Sequence, residues 1–219
     1  MLGSSDRGER FRPVVAIEVD GLLRIPVAGD CAPEDVLELE ITMKHELYPS
    51  ASRHEPPWIA DQWHARHWIS RGGLNWVRER IAEGTEVVWA STWGLCANHY
   101  FGEALSLPQL EVAVQADGGR HESISGWKAA HLAARFDGRP VLWVNDELND
   151  SRVQTLERLC HPSDRVLTHL HCIQMGCPIS ASDVQTMNAW LSLTRSQEGH
   201  DELQRQRRRE QDRARRRVR

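Results

Sequence analysis

The segment Val14-Val15-Ala16-Ile17-Glu18-Val19-Asp20-Gly21 constrains this chain more than any other. Four apolar residues run without alternation, the pattern of a strand covered on both faces, as in a parallel sheet. A strand is therefore expected from Pro13 to Asp20. It ends in two carboxylates spaced i, i+2, which the pleat sends to the same side. In α/β sheets the carboxyl ends of strands are where ligands bind. Gly21 then lets the chain turn sharply away.

The same plan recurs downstream. Glu86-Val87-Val88-Trp89-Ala90 and Pro140-Val141-Leu142-Trp143-Val144 read as buried strands. The first runs into Ser91-Thr92, the second into Asn145-Asp146-Glu147-Leu148-Asn149-Asp150. Shorter strands are expected at Leu110–Val114 and Arg165–Thr168. Between them, Leu74, Val77, Arg78 and Ile81 have helical spacing, with Gly84 as a stop. A helix is expected to follow Thr92 through Leu105. Ser125-Gly126 opens another, carrying Lys128, Ala129, Leu132 and Ala133, and Ser182 or Asp183 caps a last one ending near Leu193. Strands alternating with helices predict an α/β fold with a parallel sheet flanked by helices.

Residues 24–70 break this rhythm. Val36-Leu37-Glu38-Leu39-Glu40-Ile41 alternates like a half-exposed strand, and Pro49, Pro56 and Pro57 crowd the stretch after it. This reads as a cap-like insertion after the first strand, lying over the sheet edge. Residues 1–12 are polar and expected to fray, residues 13–194 form the globular domain, and residues 195–219 form an arginine-rich tail.

At 219 residues and 40% hydrophobic content the chain can bury one substantial core. Its net charge of -4 hides an asymmetry. From Arg195 onward ten arginines face five acids, leaving about +5 on the tail and about -9 on the body. The tail can bury no apolar face and is expected to be disordered or a solvated helix braced by pairs such as Asp201–Arg205 and Asp212–Arg216. It is either a solubilising terminus or an electrostatic arm for sequence-blind nucleic-acid contact over 205–219. Five cysteines without a CxxC argue against a disulfide framework, and neither a membrane-length apolar run nor a signal-peptide core is present. A soluble, cytoplasmic protein is expected, with no membrane partner.

Glu18/Asp20, Ser91, Lys128 and Asn145/Asp146/Asp150, in that order along the chain, resemble the motifs of the haloacid dehalogenase (HAD) superfamily. The likeness spans Pro13 to Leu193 and is nearest to the small stand-alone HAD-like hydrolases of actinobacteria and their phages. It rests on Glu18-Val19-Asp20-Gly21, Val88-Trp89-Ala90-Ser91-Thr92-Trp93, Trp127-Lys128 and Trp143-Val144-Asn145-Asp146-Glu147. The resemblance implies a Rossmannoid sheet and a Mg²⁺-dependent phosphomonoesterase, with a phosphorylated small molecule, nucleotide or polynucleotide end as substrate. Glu18 would be the nucleophile and Asp20 the general acid/base. Ser91, Thr92 and Lys128 would hold the phosphate. Glu18, Asp20, Asp146 and Asp150 would hold the metal.

Two positions depart from the family pattern. Glu18 stands where an Asp nucleophile is expected, and a carboxylate displaced by about 1 Å can cost roughly 10²-fold in rate. Asn145 stands where the first acid of an Asp-Asp pair is expected, although Asp146 with Asp150 satisfies an Asp-x-x-x-Asp version. These departures favour an alternative, a catalytically degenerate HAD-fold protein that binds nucleic acid or a protein partner through its basic tail. Plainer readings stand beside the motifs. Ser91 can be a helix cap, Lys128 a surface residue, and Asp146 and Asp150 caps of a following helix. His169, His171, Cys172 and Cys177 fit no structural-zinc spacing and are expected to pack. His54, His64 and His67 are expected on a solvated face of the insertion, and Trp58, Trp63 and Trp68 beside the core.

Overall fold

The structure, a computed structural model, describes residues 10–25, 31–44, 62–114, 124–146, 168–174 and 176–217. Among these residues five strands form a parallel sheet: β1 (Val14–Ile17), β5 (Glu86–Trp89), β6 (Glu111–Val112), β7 (Val141–Asn145) and β8 (Thr168–Cys172). They lie in the order β6-β5-β1-β7-β8. By chain rank this is 3-2-1-4-5, the order of Rossmann-like sheets, and the order reverses between β1 and β7. Ile17 is the last paired residue of β1, lying between Trp89 and Val144. The strand thus stops short of its expected end, and both acids fall in the loop beyond it.

Pleating sorts the unbroken apolar runs into two cores. Val15, Ile17, Val87, Trp89, Leu142 and Val144 face helices α1 (Arg71–Ala82) and α3 (Ala181–Thr194) through Trp76, Val77, Trp190 and Leu191. Val14, Ala16, Val88, Ala90, Val141 and Trp143 face helix α2 (Ile124–Arg135) through Trp127, Ala129 and Leu132. The result is a helix–sheet–helix sandwich. A final helix, α4 (Gln197–Arg217), packs on the end of α3. Among the described residues no helix is long and apolar enough to cross a membrane.

The insertion is more deeply integrated than its sequence implies. Strands β2 (Arg24–Ile25), β3 (Val36–Lys44) and β4 (Gln62–Ser70) form an antiparallel sheet in the order β2-β4-β3. Its Ile41, Met43 and Ile69 join the main core rather than lying over an edge. β4 leads without a loop into α1, and Ser70 is the joint. The Ser70 amide donates to Leu23 O at 2.8 Å, while its buried hydroxyl accepts from Gly73 N at 3.1 Å and Ile179 N at 3.3 Å. Gly73 is needed there, since a Cβ would stand 2.1 Å from Leu22 O.

Three expectations shift. The last strand runs on to Cys172, past its expected end at Thr168; over Thr168–Cys172 it pairs with β7, and residues 165–167 lie outside the described residues. Its polar composition gives no apolar run to read. Helix α3 is capped by Ser180, whose hydroxyl accepts from Asp183 N at 3.1 Å while Asp183 accepts from Ser180 N at 2.9 Å, a reciprocal capping box. The tail is helical, with Arg205 paired to Glu202 and Gln197 to Asp201 in place of the expected Asp201–Arg205 pair. The histidines of β8 pack, as expected, His171 pairing with Asp183 at 2.9 Å and His169 stacking on Trp190, whereas Cys172, expected to pack with them, is exposed.

Ser70→Ala removes one acceptor from two buried amides. It is expected to cost about 1–3 kcal/mol of stability, read as a lower urea midpoint at unchanged m-value.

Candidate active site

Glu18 follows β1 directly, at the point where the strand order reverses. Its carboxylate is 3% exposed, an environment that disfavours a lone charge. Three neighbours from three other segments answer it. The Ser91 hydroxyl, just past β5, donates to Oε1 at 2.5 Å. The Lys128 ammonium, from α2, forms an ion pair with Oε2. The Asn145 amide, at the end of β7, donates to Oε2 at 3.5 Å. Lys128 is itself 2% exposed, so it is a buried counter-ion rather than a surface helix residue. Burial raises the Glu18 pKa, the Lys128 charge and its hydrogen bond together with that of Ser91 pull it back, and the Asp20 charge adds to the rise; the net direction is upward.

Asp20 belongs to a neighbouring clamp. The Arg24 guanidinium pairs with Oδ1, and the Trp93 indole donates to Oδ2 at 3.1 Å. Arg24 also lies over the Trp93 ring, 5.9 Å from its centroid. Trp93 joins the two clusters, because its amide donates to Ser91 Oγ at 3.3 Å. The connected path runs Lys128, Glu18, Ser91, Trp93, Asp20, Arg24. Glu18 and Asp20 are linked through side chains of other segments, not through a shared strand face.

Behind Trp93 the helix after β5 widens into a π-helical stretch at Ala97–Gly102. It supplies Phe101, which meets Trp93 edge-on at 5.0 Å and His67 at 5.5 Å. It also supplies Asn98, which accepts from the Trp89 indole at 2.8 Å and from Leu110 N at 2.9 Å. His67 is buried here, not on the solvated face expected for it. Its pKa is pushed down to about 4, by burial first and by Arg24 second, with Asp20 opposing; His67 is therefore neutral near pH 7. Among its expected companions, His64 is exposed and bonds Thr42, while His54 lies outside the described residues.

Asp146 is packed against the turn that follows Asp20. Gly21 has φ +85°, and a Cβ there would lie 2.4 Å from Asp146 Cβ. Glycine is required twice over, by backbone and by space. Thr92 is exposed beside the cluster, and Asp150 lies outside the described residues. Of the residues singled out from sequence, the fold thus joins Glu18, Ser91 and Lys128 directly, ties in Asp20 through Trp93, and stacks Asp146 on Gly21. Arg24, Trp93, His67 and the donor role of Asn145 were not anticipated. The i, i+4 spacing of Asp20 and Arg24 was the available signal for the first.

No family model, curated protein or solved structure matches this chain. The reading of the site therefore rests on its own chemistry.

Lys128→Met leaves Glu18 buried without its cation and is expected to cost about 3–5 kcal/mol at neutral pH. A carboxyl with a raised folded-state pKa contributes stability that is full below its unfolded value, 4.5, and lost as pH rises through the folded value. Without Lys128 that loss is steeper. The gap between variant and wild type should therefore narrow as pH falls through the Glu18 pKa toward 4.5, measured by denaturant unfolding from pH 8 down to pH 5. A gap independent of pH would refute the ion-pair account.

Proposed function

We propose that the chain is a HAD-type phosphohydrolase for phosphomonoesters, with nucleotides and polynucleotide ends as its substrate class. One observation carries the reading: a carboxylate at the sheet's switch point, held between Ser91 and a buried Lys128. Elsewhere in a protein a buried carboxylate with its own lysine is an expense in desolvation; what supports a working role here is its position at the carboxyl end of the central strand, the end at which α/β sheets take ligands.

In the proposed reaction a Glu18 oxygen attacks phosphorus, the phosphorus–oxygen ester bond breaks, and an acyl-phosphate forms. Asp20 protonates the departing alkoxide. Asp20 then takes a proton from water, which attacks the phosphorus of the acyl-phosphate and releases phosphate and the Glu18 carboxylate. Ser91 and Lys128 turn from Glu18 toward the phosphoryl oxygens as charge builds on them. The Trp93 indole and Arg24 hold Asp20 in place.

Mg²⁺ fits this donor set in its sparing mode, with one or two carboxylates plus water and substrate oxygens. The fit rests on the tight Gly21 turn, which leaves Asp146 beside the acidic loop. Among the described residues no cluster of three or more His, Cys, Asp or Glu side chains could hold an ion. One or two carboxylates drawn from Glu18, Asp20 and Asp146 would therefore hold it, with Asp150, outside the described residues, as a further candidate. When bound, it would screen the nucleophile from the phosphate it approaches.

A second reading is favoured by the clamp on Asp20 and by Asn145. Both Asp20 oxygens already have partners, the Arg24 guanidinium on one and the Trp93 indole on the other, so the side chain is turned to its own clamp rather than to a leaving group. On that reading the site is a catalytically degenerate remnant, and the protein works as a binding module. Mg²⁺-dependent turnover of a panel of phosphomonoesters separates the two. Wild type is expected to turn over, and Asp20→Asn to lose about 10²–10⁴-fold in kcat. Turnover gained only in Glu18→Asp establishes the degenerate reading, and silence of all three proteins across the panel refutes the phosphohydrolase.

A further inference from the structure

Helix α4 has two sides with different tasks. One docks on the body. Leu203 is buried there, the His200 ring nitrogen bonds Thr194 O at 2.7 Å, and a Cβ on Gly199 would stand 2.0 Å from Leu193 O. At about 100° per residue, Gly199, His200, Leu203 and the half-buried Arg207 occupy one face. Arg205, Arg208, Arg209, Arg213 and Arg216 are all exposed and fall within an arc of about 140° on the opposite face. The five span about 16 Å along the axis. Between Arg205 and Arg216 the acid on that arc is Asp212; Glu198, Asp201 and Glu202 lie on the same face nearer the helix start, and Arg205 is shared with Glu202 at 2.9 Å.

We propose that this stripe is a docking surface for the phosphate backbone of double-stranded nucleic acid, read without regard to sequence. Three features select that partner. Duplex nucleic acid presents about one negative charge per 1.7 Å of its axis, so a straight stripe of this length meets several phosphates at once. Guanidinium groups grip phosphate oxygens through paired N–H donors. The body's charge of about -9 repels a polyanion, which confines contact to the helix. A membrane surface fits poorly, because the exposed arc carries no apolar side chain to enter a lipid interface. The proposal is independent of whether Glu18 is a nucleophile.

The test is fluorescence anisotropy of a labelled DNA duplex titrated with the full chain over a range of salt concentrations. Four or five phosphate contacts predict that log K falls against log salt with a slope of about -3.6 to -4.5. Replacing Arg208, Arg209, Arg213 and Arg216 by Gln should reduce that slope by about 0.9 for each, to between 0 and about -1. Asp212→Asn should tighten binding, a gain that misfolding cannot mimic. Since these side chains are exposed, the thermal midpoint should stay within a degree or two of wild type. A wild type that leaves the duplex unbound at 50 mM salt, or a slope unchanged in the fourfold variant, overturns the proposal. So does binding of polyglutamate in preference to duplex, which would assign the stripe to an acidic protein partner.

Discussion

The buried pair of Glu18 and Lys128 is the interaction around which the rest of the site is arranged. Neither charge is tolerable at that depth alone, so each fixes where the other's backbone must run. Glu18 hangs from the central strand and Lys128 from a helix on one face of the sheet. Their attraction therefore sets the docking of α2 as well as the site. Ser91 and Asn145 supply the remaining hydrogen bonds, and a buried ion pair holds only when such bonds are supplied.

Glycine at 21 lets this arrangement coexist with a second acidic loop. The chain must leave β1, pass Asp20, and return as β2 within a few residues. It does so by a turn closed through Arg24 N and Leu23 N bonding to Val19 O at 2.7 and 3.1 Å. Asp146 fills the space a side chain would have taken. The two loops at the switch point are thus interlocked by shape, while the clusters around Glu18 and Asp20 are joined by hydrogen bonds through Trp93.

Much of the sheet was legible because its strands are apolar on both faces, a pattern few other settings produce. β1, β5 and β7 were read from that pattern, and the polar residues that follow them took Glu18, Ser91 and Asn145 to one place. β8 was ended too early, at Thr168, because Thr-His-Leu-His-Cys is an edge strand without such a run. The insertion's role in the core was hidden too, since Ile41, Met43 and Ile69 are separated by polar residues in sequence and gathered only by pairing. The places of His67 and Trp93 in the site were hidden for a related reason. Their environment is made by Phe101 in a π-helical stretch, and that widening leaves no mark in residue spacing.

Charge balance bears on how such a site could accept a phosphate. Among the described residues the cluster sets the carboxylates Glu18, Asp20 and Asp146 against the cations Lys128 and Arg24, leaving about one negative charge. A phosphate ester is itself anionic, so on the proposed function the site as it stands repels its substrate at close range. A divalent cation would reverse the sign of that balance and make it complementary. The same arithmetic bears on Asn145. A fourth acid, set beside the Glu18 oxygens, would have deepened the negative charge, whereas an amide there donates a hydrogen bond to the carboxylate that Lys128 already holds. Glu18 is one methylene longer than aspartate, and that length lets its two oxygens reach Ser91 on one side and Lys128 and Asn145 on the other. Glu18 and Asn145 are thus matched to each other, the longer acid reaching the amide that donates to it.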